Sequence, residues 1–488
     1  MIRPQIKIFG YSTIIYGLAN LLTKIVSVAL IPLYTNYLSV YDVGIIALFE
    51  MIEVFLVTFI PLGTITSMWR YLSNADEYER NSIIKSTFLI ILASGCVFTI
   101  LFNYLTEYLI EYSTLSLSDN LILYLMLSCF LRVTSNFLYW LLQYKNSVIE
   151  YLLFSLVQFI SIISLTMYFI LVKDYGLEGV YFAKIFVFSI YLIITTIYVF
   201  KNSKGSFSLS IGKKMIRYGI PIVPLALLAP LLNTVDRFFL NVFHSLEDLG
   251  KYSISYKFGM LMNMFLVVPI QRSWGPQMFK VGDNSRSTRI IHQDLTFYYA
   301  YCGILILIGL SFFSDSILYL FATKDYYTIS WIIPWVALAY FIGGFRIFLQ
   351  AGASLQDRTD LFFSTALITM FTSFFLNWFL IKYYAIPGAI AATILSYFIL
   401  VVLLYKNGKK ITKIEWPISK IVKSSLIAIV LLIVVSYVAE YYPNHSFYIK
   451  CLGIISYLII SVFMKLIGDK EINGLRFLWN SIFKEVKA

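Results

Sequence analysis

Fourteen times this chain runs for about twenty residues with almost no charge, the length of α-helix that crosses the hydrocarbon core of a bilayer. Inside hydrocarbon every backbone N–H and C=O must find its partner within the protein, so isolated apolar runs of this length fold as helices. They lie at 9–34, 43–68, 83–105, 120–142, 150–172 and 178–200, then at 218–242, 250–271, 291–313, 329–351, 361–381 and 386–405, and finally at 424–440 and 447–466. With 59% hydrophobic, 18% aromatic and only 13% charged residues, little of the chain is left to face bulk water. The expected fold is all-α and integral to the membrane, with 14 transmembrane helices.

Loop charge tests that count, because one missed helix would invert every assignment after it. Placing the N-terminus in the cytoplasm, and counting Lys85, Lys251, Lys450 and Lys465 at span ends with the adjoining loops, puts 27 Lys and Arg on the cytoplasmic side and 5 outside, with the remaining 6 inside the spans. Both termini are therefore expected in the cytoplasm. The net charge of +12 is loop charge that sets orientation, so no nucleic acid is implied. The four cysteines, Cys96, Cys129, Cys302 and Cys451, fall in separate apolar segments with no metal-ligand or disulfide spacing, so neither a metal nor a cofactor is called for.

The first twelve spans form two blocks of six that echo one another. Leu171-Val-Lys-Asp-Tyr-Gly-Leu-Glu-Gly179 recurs as Leu380-Ile-Lys-Tyr-Tyr-Ala-Ile-Pro-Gly388, Tyr16-Gly17 as Tyr218-Gly219, and Ser39, Asp42 and Gly44 as Ser245, Asp248 and Gly250. An even number of spans per block makes the repeats parallel, related by an axis along the membrane normal. The expected organisation is an N-lobe over 1–205, a C-lobe over 206–410, and two extra C-terminal helices with a basic tail over 411–488. In the tail, Ile472, Leu475, Leu478, Trp479, Ile482 and Phe483 sit between basic residues, the pattern of an amphipathic helix on the inner leaflet.

Charges inside the spans are the candidate functional residues, since an ionised side chain at bilayer depth costs at least ~2.5 kcal/mol and persists where it meets water, a partner or a substrate. In the first helix Thr13, Tyr16, Gly17, Asn20, Thr23, Lys24 and Ser27 follow steps of three and four, a polar stripe expected to line a cavity. The fourth helix carries Ser128, Arg132, Ser135, Tyr139 and Gln143 on one face, and the seventh Asn233, Arg237 and Asn241 with Asp236 beside them. Pro221, Pro224 and Pro230 open the seventh helix and suggest a hinge, and Ser253 and Lys257 share a face of the eighth. Lys24, Arg132, Arg237 and Lys257, with Asn20 and Asn233, are the substrate-binding candidates. Lys184 and Arg346 lie nearer helix ends, where a long side chain can reach the interface. Six cations in the spans against Glu50, Glu53 and Asp236 leave an excess suited to an anion. Glu50 and Glu53 either bind a coupling proton or sodium ion or pair with Lys24, and Asp236 pairs with Lys257 or Arg237; the sequence leaves both choices open.

Leu30-Ile-Pro-Leu-Tyr-Thr-Asn-Tyr-Leu-Ser-Val-Tyr-Asp-Val-Gly44, Asp236-Arg237-Phe-Phe-Leu240 and Leu249-Gly-Lys-Tyr-Ser253 resemble segments of bacterial O-antigen and polysaccharide repeat-unit flippases, distant relatives of the multidrug and toxin extrusion transporters. The resemblance extends over nearly the whole chain and implies a cargo of undecaprenyl-pyrophosphate-linked oligosaccharide, moved from the inner to the outer leaflet of the plasma membrane. It also implies contact with membrane lipids and cooperation with a polysaccharide polymerase and a chain-length regulator. Arg, a planar fork of donors, and Lys, a point charge, are the side chains expected to hold a pyrophosphate.

No GxxxxGK[ST] loop occurs, and no nucleophile, base and acid stand at useful spacing, so an enzyme is a poor reading. An ion-coupled multidrug or metabolite antiporter is the alternative; it calls for an acidic, cation-attracting pocket, the opposite of the excess found here. A membrane polymerase or glycosyltransferase would carry a large external loop, and the external segments near 106–119 and 314–328 are short.

Overall fold

The computed structural model describes residues 28–72, 75–111, 119–145, 147–272, 274, 286–350, 360–411 and 416–466. Eleven helices among them are long and apolar enough to cross a membrane, and no strand occurs among the described residues. The protein is a multi-pass, all-α membrane protein, and eleven such helices are compatible with fourteen spans. Most of the first expected span and the basic tail lie outside the described residues. One helical segment, Asp360–Ile411, is long enough for two crossings and is broken at Ala385, whose φ of 49° and ψ of −128° no helix contains. The break falls between the expected spans 361–381 and 386–405.

The chain divides into two compact units. The first takes in the described residues up to Lys257 together with Phe321–Tyr326 and Ala366–Thr393. Its helices are α1 (Ile31–Tyr37), α2 (Val40–Phe59), α3 (Thr64–Leu72), α4 (Glu77–Glu111), α5 (Asp119–Tyr144), α6 (Val148–Leu171), α7 (Gly176–Asn202), α8 (Leu209–Gly219), α9 (Val223–Phe243) and most of α10 (Leu246–Gly259). α5 and α7 form the most extensive pairing, α6 and α4 flank them, and α9 lies along α2. Between α5, α6 and α7 the buried core holds Leu138, Tyr139, Leu142, Tyr151, Val187 and Tyr191. The prolines expected to open the seventh span sit where a missing N–H is tolerated, Pro221 in a 3₁₀ turn and Pro224 in the first turn of α9, while Pro230 is inside the helix.

The second unit contains the described residues of Phe258–Leu320, Tyr327–Thr365 and Ile394 onward. Tyr299 anchors it: the ring stacks on Phe341, meets Phe345 edge-on, and its hydroxyl donates to the Phe341 carbonyl at 2.6 Å. The last two described helices, Ile418–Tyr441 and Ser446–Phe463, pack on each other and share a buried contact between the Ser424 and Tyr457 hydroxyls at 2.5 Å.

Two helix starts in the first unit use the same local chemistry. At α2 the Ser39 hydroxyl accepts from the Asp42 N–H and the Asp42 carboxylate accepts from the Ser39 N–H, each at 3.1 Å. At α10 the Ser245 hydroxyl accepts from the Asp248 N–H at 3.0 Å and donates to the Asp248 carboxylate at 2.9 Å. Such caps satisfy N–H groups that a helix start leaves without intrahelical partners. One turn on, the two helices touch backbone to backbone. A Cβ on Gly44 would stand 1.9 Å from the Leu246 carbonyl oxygen, and one on Gly250 would stand 2.3 Å from that of Val40. Leu246 and Gly250 each follow Val40 and Gly44 by 206 residues, so each member of one recurring pair meets the opposite member of the other.

That contact predicts the effect of adding a side chain. Gly44→Val should lower the stability of the detergent-purified protein by about 1–3 kcal/mol, the usual cost of overpacking, read as a fall in Tm. Gly309→Ala, where nothing lies within 4 Å of the added methyl, should not lower Tm.

Candidate functional site

Among the described residues, the apolar spans of the first unit bring together seven acidic and basic side chains: Glu50 and Glu53 of α2, Arg132 of α5, Lys184 of α7, Asp236 and Arg237 of α9, and Lys257 of α10. Lys24 and Asn20 lie outside the described residues. Glu50 and Glu53 are one helical turn apart, so both face the same side of α2.

Glu53 is the most enclosed of the bridged carboxylates, its side chain 5% exposed. One oxygen accepts from Arg132 Nη1 at 2.6 Å and the other from Lys184 Nζ at 3.2 Å, so a single carboxylate joins α2 to both α5 and α7. Lys184 also lies over the Tyr181 ring at 5.1 Å from its centroid. It does not reach for the interface, because it sits two turns into α7 on the face that buries Val180, Tyr181, Val187, Phe188 and Tyr191. That periodicity is the sequence signal that would have assigned Lys184 to the site. The Arg132 side chain remains 41% exposed despite its bond to Glu53, leaving guanidinium surface for another acceptor.

The fourth-helix stripe is otherwise interior. Ser128 and Ser135 are fully buried and donate to carbonyls of their own helix, and Tyr139 donates to Gln158 at 3.2 Å. These residues fill helix–helix contacts, so a polar stripe at helical spacing marks packing as readily as a cavity.

One turn before Glu53 on α2, Glu50 accepts from Lys257 Nζ at 2.9 Å, joining α2 to α10. Arg237 and Lys184 also act on the Glu50 carboxylate electrostatically. Asp236 pairs neither with Lys257 nor through a side-chain salt bridge with Arg237. It accepts from the Tyr252 hydroxyl at 2.5 Å and from the Arg237 backbone N–H at 2.9 Å. Arg237, 8% exposed, lays its guanidinium over the Tyr256 ring at 5.2 Å, and its Nε has no hydrogen-bond partner among the described residues. Asn233, one turn before Arg237, is half-buried on the same helix. Arg346 belongs to the second unit, where it heads the short helix Arg346–Leu349.

Four cations against three carboxylates leave this cluster with a surplus positive charge among the described residues. In a low-dielectric setting such a surplus attracts an anion and disfavours a second cation. No group of three or more His, Cys, Asp or Glu that could hold a metal ion occurs among the described residues. The one-to-one pair is the simplest to test. Lys257→Met leaves Glu50 without its bonded cation and should destabilise the protein by roughly 3 kcal/mol, whereas Lys257→Met combined with Glu50→Met should recover most of the loss in Tm.

The chain resembles several solved transporters. A lipid II flippase, MurJ, in an inward closed conformation superposes with a TM-score of 0.72 at 19% identity, over 93% of this chain and 99% of that one. A multidrug resistance MATE family transporter of the MOP superfamily, inward-facing, gives 0.62 at 13% identity over 80% and 93%. A MOP superfamily transporter from Pyrococcus furiosus, described as having a binding pocket of reverse polarity, gives 0.59 at 13% identity over 83% and 95%. These likenesses establish the fold. No curated protein matches the sequence. The family described as polysaccharide biosynthesis protein matches residues 9–281, more than half of the chain, and the protein belongs to that family.

Proposed function

We propose that this protein is a flippase that carries an undecaprenyl-pyrophosphate-linked oligosaccharide, an O-antigen or other polysaccharide repeat unit, from the inner to the outer leaflet of the bacterial plasma membrane. The observation that carries this reading is the charged cluster within the apolar spans in which Arg132, Lys184, Arg237 and Lys257 outnumber Glu50, Glu53 and Asp236 among the described residues. A pyrophosphate brings several negative charges and many acceptor oxygens, the complement of Arg forks and a Lys point charge. Membership of a polysaccharide biosynthesis family and a fold shared with a lipid II flippase support the choice of cargo. The excess of Lys and Arg in alternate loops supports cytoplasmic termini.

Transport of this kind breaks no covalent bond. The cluster supplies counter-charge to the pyrophosphate and the sugars ride in hydrated space, while the polyprenyl tail stays in apolar surroundings. Alternating access then consists of one repeat, over 1–205, rocking against the other, over 206–410, with the polymerase and chain-length regulator acting on the delivered unit.

Expression in a strain lacking its own O-antigen flippase tests the reading. Wild type should restore surface polysaccharide. Arg237→Ala should abolish restoration at normal membrane abundance, and Arg237→Lys should retain part of it because charge survives while the fork is lost. Absence of restoration by abundant wild type across several repeat-unit hosts would overturn the assignment, and full activity of Arg237→Ala would overturn the role of the cluster.

A further inference from the structure

Glu53 occupies an unusual position for a carboxylate in a site meant for anions. It lies within an apolar span, each oxygen is taken by a different cation on a different helix, and one of those cations, Arg132, keeps 41% of its side chain exposed. Two cations converging on one point from α5 and α7 form an anion-binding pair whatever acceptor stands between them. In this structure the acceptor is the protein's own α2.

We propose that Glu53 is an internal stand-in for the cargo's phosphate, holding between Arg132 and Lys184 the position that the pyrophosphate of an incoming lipid takes over. The inference rests on the flippase reading and adds what binding does to the protein. A pyrophosphate beside Glu53 would place like charges in contact in a medium that screens them poorly, so cargo and carboxylate exclude one another. When the pyrophosphate engages Arg132 and Lys184, Glu53 is released and α2 loses both ion pairs to α5 and α7. Its packing along α9 and its link to α10, the Glu50 bond to Lys257 and the backbone contact at Gly44, do not depend on Glu53 and stay in place. Cargo binding therefore changes which helices α2 is tied to. When the cargo leaves, Glu53 returns and restores the starting arrangement, so the site does not retain two bare buried cations.

The same geometry accounts for one otherwise unmatched feature. The Tyr181 hydroxyl is buried without a hydrogen-bond partner among the described residues, and its ring lies beside Lys184. That hydroxyl is a donor, and an acceptor-rich pyrophosphate in place of a two-oxygen carboxylate supplies the further acceptor it lacks.

Binding of farnesyl pyrophosphate to the purified full-length protein in nanodiscs tests the exchange, with inorganic pyrophosphate as the arm that separates a lipid headgroup from free phosphate. Glu53→Gln removes the competing charge while keeping the side-chain shape, and should bind farnesyl pyrophosphate about 10-fold tighter than wild type. Adding Arg132→Gln to Glu53→Gln should abolish that gain. Glu53→Asp, whose shorter arm cannot span both cations, should show a smaller gain, and it provides the comparison if Glu53→Gln proves unstable by Tm. In the wild type, hydrogen exchange in the α2 backbone should rise on adding farnesyl pyrophosphate. Equal or weaker binding by a stably folded Glu53→Gln, or unchanged exchange in α2 at saturating ligand, would overturn the proposal. Failure of both pyrophosphates to bind wild type and variants would also overturn it, while the complementation experiment would still decide the flippase reading independently. A gain with inorganic pyrophosphate equal to that with the farnesyl compound would keep the exchange and assign recognition to the phosphate alone.

Discussion

A carboxylate buried among apolar helices must find positive partners or become neutral, and Glu53 satisfies that demand twice over. Its bonds to Arg132 and Lys184 fix α2 against α5 and α7, and Glu50, one turn away, fixes α2 against α10. The packing of the first unit follows from this. Helices that carry complementary charge must lie close enough for the ions to touch, and the large side chains around them, Phe49 against Tyr181 at 5.5 Å and Tyr252 against Tyr256 at 5.4 Å, fill the space that remains. The stability gained from such a network is modest because desolvation cancels much of the attraction. Its importance lies in specificity: misplacing any of these helices would strand an ion in hydrocarbon.

The membrane class, the helical fold and the break near Ala385 were legible in the sequence because they depend on local properties, namely runs of apolar residues and a motif containing Pro387 and Gly388. The identity of the charged residues was legible for the same reason, since any charge in such a run stands out. Their partnerships were not. Glu50 and Glu53 had Lys24 as the obvious candidate on an adjacent helix, yet the described partners are Lys257, Arg132 and Lys184, at separations of 207, 79 and 131 residues. Pairing depends on the rotation and depth of each helix, which are set by packing across the whole unit and leave little trace in a local window. Asp236 shows the limit most clearly: with two cations expected nearby, its carboxylate instead holds a tyrosine hydroxyl and a backbone N–H.

A polar stripe is similarly ambiguous. Arg132 and the serines near it share one helical face, but only the arginine keeps substantial exposure, while the serines return their hydrogen bonds to α5 itself. In water-soluble proteins a polar face usually marks solvent. Within a bilayer a hydroxyl that bonds to its own helix is effectively small and neutral, and lets neighbouring helices approach closely.

The Gly44 and Gly250 contact has a consequence for how this sequence can change over generations. Each glycine is pressed against main-chain atoms near the start of the other's helix, and main chain cannot be traded for something smaller. A substitution at one position therefore has no compensating substitution at the other. Elsewhere the sequence is free to drift, but at these two positions glycine is held in place by the other helix's backbone, and any lineage that keeps the crossing must keep the pair.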